Sequence, residues 1–209
     1  MSRTIINRRD TLIDLFTSAF EAWCHHLLYV RKLYPSESFD LIKVLGVKVK
    51  KCMHPKVLKY ISDTIGVGLP TLLENASEVS LLIVIGPDHV ETFTVSFEKC
   101  TLANNVLPGS VEKSTSLAEL ERCLQELIIS VFDLERNQSL MNDDSTFKLI
   151  FASRNGHDLT DLNCATAGEC CGKIIPIFKG TVPSILQLVF SASIGGKPDD
   201  CEGPILKAA

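Results

Sequence analysis

Four side chains have types and proximity that suggest a metal: His157, Cys164, Cys170 and Cys171. Structural zinc prefers cysteine pairs spaced C-x2-4-C, and adjacent cysteines rarely share one ion. The spacing here fits no zinc pattern, so reduced loop thiols are the stronger reading and no metal is expected. His25 and His26 are adjacent. On a helix they point ~100° apart and cannot grip one ion, so one is expected packed and the other solvated. Asp143-Asp144 and Asp199-Asp200 lack a partnered base and read as solvated turns. Nucleotide chemistry also lacks its parts. Gly196-Lys197 is followed by Pro198 and has no first glycine of a phosphate loop. Gly66-Val67-Gly68 lacks the third glycine of a dinucleotide fingerprint. No G-x-S-x-G nucleophile elbow occurs. Lys43, Lys48, Lys50, Lys51, Lys56 and Lys59 cluster in sequence. They read as a solvated edge that discourages stray strand pairing, in preference to a phosphate-steering patch. No aromatics interleave with them, which argues against base stacking. The expectation is a protein without catalysis or cofactor.

The bulk composition fits a single soluble domain. At 209 residues one domain with one sizeable core is the default. Hydrophobic residues make up 45% and charged residues 22%, an ordinary globular mix. A net charge of -4 does not suit broad phosphate neutralisation, so direct nucleic-acid binding is not expected. No apolar run approaches the ~20 residues that span a bilayer, and the charged first thirty residues do not read as a signal peptide. No membrane contact is expected, and the chain should stay in the cytosol or nucleus. Eight cysteines then read as reduced thiols, since a domain of this size does not need disulfides.

The positioning elements follow from periodicity. Residues 1–9 read as a loose tail. From Asp10, Leu12, Phe16, Ala19, Phe20, Trp23, Leu27 and Val30 recur mostly at steps of three and four, and Ile13, Cys24 and Leu28 widen the stripe. That is a helix buried on most of its circumference, expected to end before Pro35. Residues 39–50 read as a hairpin turning near Gly46. A second helix, His54 to Asn75, carries Val57, Leu58, Ile61 and Ile65 inward, with Gly66, Gly68 and Pro70 expected to kink or break it. Val79 to Ile85 reads as a strand covered on both faces. Glu91 to Glu98 alternates, with Phe93, Val95 and Phe97 on one face. Ser116 and Glu119 form a capping box for a third helix whose inner face is Leu117, Leu120, Leu124, Leu127, Ile128 and Val131. Thr146 to Ala152 reads as a strand. Ile174–Phe178 and Ile185–Ala192 read as a hairpin around a Gly180–Pro183 turn.

Two sequence blocks are distinctive. The first runs from His26 to Phe39, HLLYVRKLYPSESF; the second is His54-Pro55, then Tyr60-Ile61, then Asp63-Thr64. With the element order, they resemble the HORMA domain family over roughly residues 10–193, in the branch of the accessory, non-catalytic subunit of translesion DNA polymerase zeta. The resemblance implies an α+β fold: a mostly antiparallel central sheet, three helices on one face and a C-terminal safety belt. The implied division is a flexible tail (1–9), a core (10–152), a belt with docking hairpin (153–193) and a disordered tail (194–209).

The function implied by the resemblance is peptide capture. A partner segment adds as an extra strand to the edge formed by Phe147, Lys148, Leu149, Ile150 and Phe151, with Tyr60 lining the groove. Main-chain hydrogen bonds then supply affinity, and a wrapped belt slows release. The docking hairpin would use Ile174, Ile175, Pro176, Ile177, Ile185, Leu186 and Leu188. A dimer surface would lie near Arg122 and Gln125, the latter where relatives carry an arginine. The implied partner is a peptide of the catalytic subunit of polymerase zeta, with a translesion scaffold polymerase and a HORMA-remodelling ATPase as further partners, in nucleus and cytoplasm. The alternatives are a mitotic or meiotic checkpoint adaptor with another peptide and, remotely, an enzyme with a scattered active site.

Overall fold

The computed structural model describes residues 8–75, 78–85, 89–100, 113–136, 145–152, 173–182, 186–194 and 206–207. The expected belt segment (residues 153–172) with its histidine–cysteine group, the remaining tail residues and Ile185 lie outside these residues. Among the described residues the α-helices are α1 (Arg8–Val30), α2 (Pro55–Asn75) and α3 (Lys113–Ser130). Two strands, β1 (Phe39–Val44) and β2 (Val47–Cys52), form a separate hairpin. The main sheet has β3 (Glu78–Ile85), β4 (His89–Cys100), β5 (Thr146–Ala152), β6 (Lys173–Val182), β7 (Leu186–Ile194) and β8 (Leu206–Lys207). Its order is β6-β7-β4-β3-β5-β8, antiparallel at every pairing.

The core forms where helical and strand periodicities meet. Phe16, Phe20, Trp23 and Leu27 of α1 are buried against Phe93, Val95 and Phe97 of β4 and Phe190 of β7 within one apolar cluster. Trp23 meets Phe190 edge-on at 5.6 Å and Phe20 at 6.1 Å. Such tilted pairs match the quadrupoles of the rings, adding to the burial of their large apolar area.

The first helix ends earlier than Pro35 would require. Lys32 adopts φ 53°. Its N–H donates to Tyr29 O at 2.9 Å, and Leu33 N–H donates to Leu28 O at 3.0 Å. This is a Schellman ending with lysine at the left-handed position usually held by glycine. Buried Leu28 and Leu33 are the accompanying apolar residues. Pro35 instead accepts from Ser38 N–H at 2.9 Å and starts the short 3-10 turn Ser36–Ser38. At the tip of the first hairpin both Leu45 (φ 47°) and Gly46 (φ 81°) have positive φ, as a two-residue type I′ turn requires.

Several sequence expectations are corrected. The second helix is not broken: α2 continues through Gly66, Gly68 and Pro70 to Asn75. Packing explains one of these residues. A Cβ on Gly68 would lie 2.7 Å from the Phe151 ring, so its absence lets α2 settle onto β5. The third helix begins at Lys113, which puts Ser116 inside it rather than at its cap. Leu117 is exposed, whereas Leu120, Leu124, Leu127, Ile128 and Val131 are buried as expected. Strand β6 runs past Gly180 to Val182, so Gly180 lies within the strand, and Pro183 of the expected turn lies outside the described residues. A Cβ on Gly180 would meet Cys123 Sγ at 2.5 Å, which marks the tight contact of α3 with β6. The C-terminal tail was expected to be disordered from residue 194, but Ile194 ends β7 and Leu206–Lys207 form β8.

Candidate functional site

Strand β5 carries the residues singled out for peptide capture. Period-two alternation puts Phe147, Leu149 and Phe151 toward one face and Lys148 and Ile150 toward the other. All five are buried. A buried lysine was not anticipated; Lys148 is engaged by a partner, as burial of a charge requires. On the helix side, Tyr60 of α2 stands edge-on to Phe147 at 5.6 Å. Tyr34 meets the same ring at 6.4 Å and stacks on His54 at 6.3 Å. The two sequence blocks thus converge on one aromatic cluster above the start of β5.

The Tyr60 hydroxyl accepts a hydrogen bond from the backbone N–H of Leu149 at 3.1 Å. An amide given to a side chain does not serve the β3–β5 ladder, so this N–H faces the outer edge of β5. By alternation, the main-chain groups of Phe147 and Phe151 face outward as well. Burial pushes the Tyr60 phenol above its ordinary pKa, while the Leu149 N–H pulls it down. The hydroxyl therefore keeps its proton at neutral pH and can donate it onward.

Strand β7 places the hairpin on the opposite side of the sheet. It pairs along β4 from Glu91↔Ile194 to Cys100↔Leu186. Leu186, Leu188, Phe190 and Ala192 are buried, so the apolar contact is made by β7. The β6 residues divide differently: Ile174, Ile175 and Pro176 are exposed and Ile177 is half-buried. Pro176 sits on the outermost strand beside a register shift, where a missing N–H costs little.

The two candidate dimer residues also separate. Arg122 is exposed and faces Glu126 at 3.8 Å along its own helix. Gln125 is half-buried, and its Nε2 donates to Leu45 O at 2.7 Å. That bond ties α3 to the hairpin tip. Three of the six clustered lysines have local engagements. Lys51 faces Glu21 at 3.6 Å, Lys59 faces Asp63 at 2.6 Å, and Lys50 Nζ lies 5.6 Å from the Tyr29 ring centroid.

Both adjacent histidines are buried, which corrects the expectation of one solvated ring. They point apart, but α1 is enclosed on both sides. His26 Nδ1 accepts from Lys50 N–H at 3.3 Å, and its ring lies 4.3 Å from that of Phe132. His25 lines a cleft of about 330 Å³ with Ser18, Glu21, Lys43 and Lys51. Burial, helped by Lys51, lowers its pKa to about 3. Ser18 and His25 are seven residues apart on one helix, roughly 10 Å along the axis. The pair is too distant for a nucleophile and its base. No group of three or more potential metal ligands occurs among the described residues.

A buried ion pair joins the end of α1 to the start of β4. Arg31 Nε lies 3.2 Å from Glu91 Oε2, and the guanidinium sits 5.0 Å from the Phe93 centroid. Sequence reasoning missed this pair, because Arg31 and Glu91 are sixty residues apart with nothing local to join them.

The antiparallel sheet with helical packing, a C-terminal hairpin on one side and a two-residue strand on the other has the HORMA fold. The sequence of the chain is MAD2B-like. It is 26% identical over 133 residues to the mitotic spindle assembly checkpoint protein MAD2B of Danio rerio and to that of Homo sapiens. The match covers 63% of this chain and spans 60% of the length of those relatives. No family model matches the chain. Among solved structures, a chain of the mitotic checkpoint complex matches with TM-score 0.65 and 14% identity, over 94% of this chain and 100% of that one. HTP-2 bound to HTP-3 motif-6 matches with TM-score 0.58 and 12% identity, over 93% of this chain and 94% of that one. C. elegans HTP-2 bound to the HIM-3 closure motif matches with TM-score 0.58 and 13% identity, over 93% of each chain.

Proposed function

We propose that this chain is a peptide-capturing adaptor and that β5 is the edge to which a partner segment adds. The observation that carries the reading is the pairing of Tyr60 with the Leu149 amide. It places the Tyr60 hydroxyl at the outer side of β5, where its own proton is free to rotate toward an incoming acceptor. An extended partner segment would bond outward main-chain groups of β5 and take that proton on a carbonyl. Alternate side chains of the segment would set specificity. The Tyr34–Tyr60–Phe147 cluster supports the strand from behind, so little of the edge must be ordered on binding.

Within this class the MAD2B likeness favours the accessory subunit of translesion polymerase zeta, acting in the nucleus in DNA damage tolerance. The partner would be a peptide of its catalytic subunit, with a scaffold polymerase and a remodelling ATPase as further partners. The core would then be residues 10–152, followed by the belt and docking hairpin at 153–193. A second reading, a checkpoint or meiotic adaptor, is favoured by the likeness to HTP-2 bound to its motifs. A titration distinguishes the two. Labelled peptides from the polymerase zeta catalytic subunit and from a meiotic closure motif are offered to the 209-residue chain. Preferential, saturable binding of the polymerase peptide supports the first reading. Preference for the closure motif supports the second, and binding of neither removes both.

A further inference from the structure

The cleft between α1 and the first hairpin takes no part in strand addition. One wall is Ser18, Glu21 and His25, which share a face of α1 at helical spacing. The other joins apolar Ile42 to Lys43 on β1 and Lys51 on β2. Its volume of about 330 Å³ falls in the range of small-molecule sites. Ser18 and His25 stand roughly 10 Å apart along the helix axis, so the space is elongated.

The polar groups around this space do not satisfy one another. The ammonium of Lys43 has no ion pair or hydrogen bond among the described residues. It stands directly across the hairpin from Lys48, and like charges opposite each other destabilise a strand pair. Lys51 lies 3.6 Å from Glu21 Oε2, beyond hydrogen-bond distance, so its three donors remain available to a second acceptor. His25 is 1% exposed, and its Nδ1 bonds no protein atom. Burying such an atom without a partner costs free energy, which a ligand against the ring can recover. Burial and Lys51 keep this ring neutral. Two ammonium groups against the single carboxylate of Glu21 therefore leave the cleft with net positive charge. The charge selects an anion, while half-buried Ile42 offers apolar contact that a bare inorganic ion could not use.

We propose that the cleft between α1 and the β1–β2 hairpin binds a small organic anion, a carboxylate or phosphate head on a short apolar body. Lys43 and Lys51 hold the head, Ile42 meets the body, and the His25 ring forms the inner wall. The occupant bridges two elements that belong to different layers, since the hairpin is a sheet of its own. The site is separate from the β5 edge and does not depend on the strand-addition reading above.

The test titrates the full-length chain with butyrate and with butyl phosphate at constant ionic strength. Butanol and butylammonium serve as the neutral and cationic counterparts. NMR follows the backbone amides and the imidazole nitrogens of His25. The expected result is saturable shifts at Ile42, Lys43, Lys51 and His25 with at least one of the two anions, and none with butanol or butylammonium. The anion that binds more tightly identifies the head group. Lys43→Glu turns an attraction into a repulsion and should weaken that binding roughly tenfold. Lys56→Glu makes the same change of net charge on α2, away from the cleft, and should leave binding nearly unchanged. Both lysines are exposed, and the amide spectrum of each variant verifies its fold. Shifts that never saturate with either anion would overturn the proposal, as would an equal response to butanol. A His25 ring that stays in place while the lysines shift would mean ion pairing at the surface and would overturn it too. So would equal affinity of Lys43→Glu and Lys56→Glu.

Discussion

Tyr60 and Leu149, eighty-nine residues apart, are joined by a 3.1 Å hydrogen bond in which the backbone N–H of Leu149 donates to the tyrosine hydroxyl. The bond connects a helix to the rim of a sheet. It also distinguishes the two properties of Tyr60. The ring packs edge-on against Phe147, while the hydroxyl finishes a main-chain group that would otherwise face the edge unpaired.

Substitutions that separate ring from hydroxyl follow directly. Tyr60→Phe keeps the ring and frees the Leu149 N–H. It should weaken captured peptide by about 1 kcal/mol, the usual net contribution of one hydrogen bond. Tyr60→Ala removes both and should cost on the order of 2 kcal/mol, as for interface aromatics generally. Isothermal titration with whichever peptide binds the wild-type chain measures both, after circular dichroism has shown that the variants stay folded. Equal affinity of Tyr60→Ala and wild type would remove Tyr60 from the site.

Two glycines of α2 should respond oppositely to the same change. Gly66 has open space around it, with nothing within 4 Å of an added Cβ. Gly66→Ala should gain most of the helix-propensity difference, up to ~1 kcal/mol. Gly68→Ala would drive a methyl into the Phe151 ring at 2.7 Å. Overpacking of that kind typically costs about 1–3 kcal/mol, and it would push α2 away from β5. Urea denaturation of the two variants gives the sign of each change. Stabilisation by Gly68→Ala would mean that the helix and strand are not in close contact there.

The sequence made some of this legible, for identifiable reasons. The stripe of α1, the alternation of Phe93, Val95 and Phe97, and the inner face of α3 are periodic signals repeated over two or more turns or pleats. They survive any local irregularity. Tyr60 was reached through the motif block, which placed it beside β5 but gave no hint that its oxygen meets the Leu149 amide. Local rules failed where tertiary contact outweighed them. Gly66, Gly68 and Pro70 looked like a helix break because propensity counts them so, yet the Phe151 contact makes Gly68 a packing residue. Lys32 carries no sequence mark of a left-handed helix end. Leu206-Lys207 is too short for any periodicity, and its strand character comes wholly from the pairing partner.

The buried histidines should make stability depend on pH. The ordinary histidine value is 6.5; burial lowers His26 to about 4, and burial with Lys51 lowers His25 to about 3. The folded state thus holds both rings neutral where the unfolded chain binds protons. With more protons on the unfolded side, stability rises with pH. The contribution is complete above 6.5 and is lost as pH falls from there toward the folded values. Each histidine is worth about 1.4 kcal/mol per pH unit inside that window, so the pair can remove up to ~4 kcal/mol by pH 5. Structure sharpens the effect for His26. Its Nδ1 accepts from Lys50 N–H, so the ring's proton belongs on Nε2, and protonating Nδ1 breaks the bond that holds β2 to α1. Urea unfolding at pH 7.5, 6.5, 5.5 and 5.0 should show the midpoint falling below 6.5, with the slope roughly halved in His26→Gln. A midpoint independent of pH across this range would mean that the two rings are not buried as neutral imidazoles.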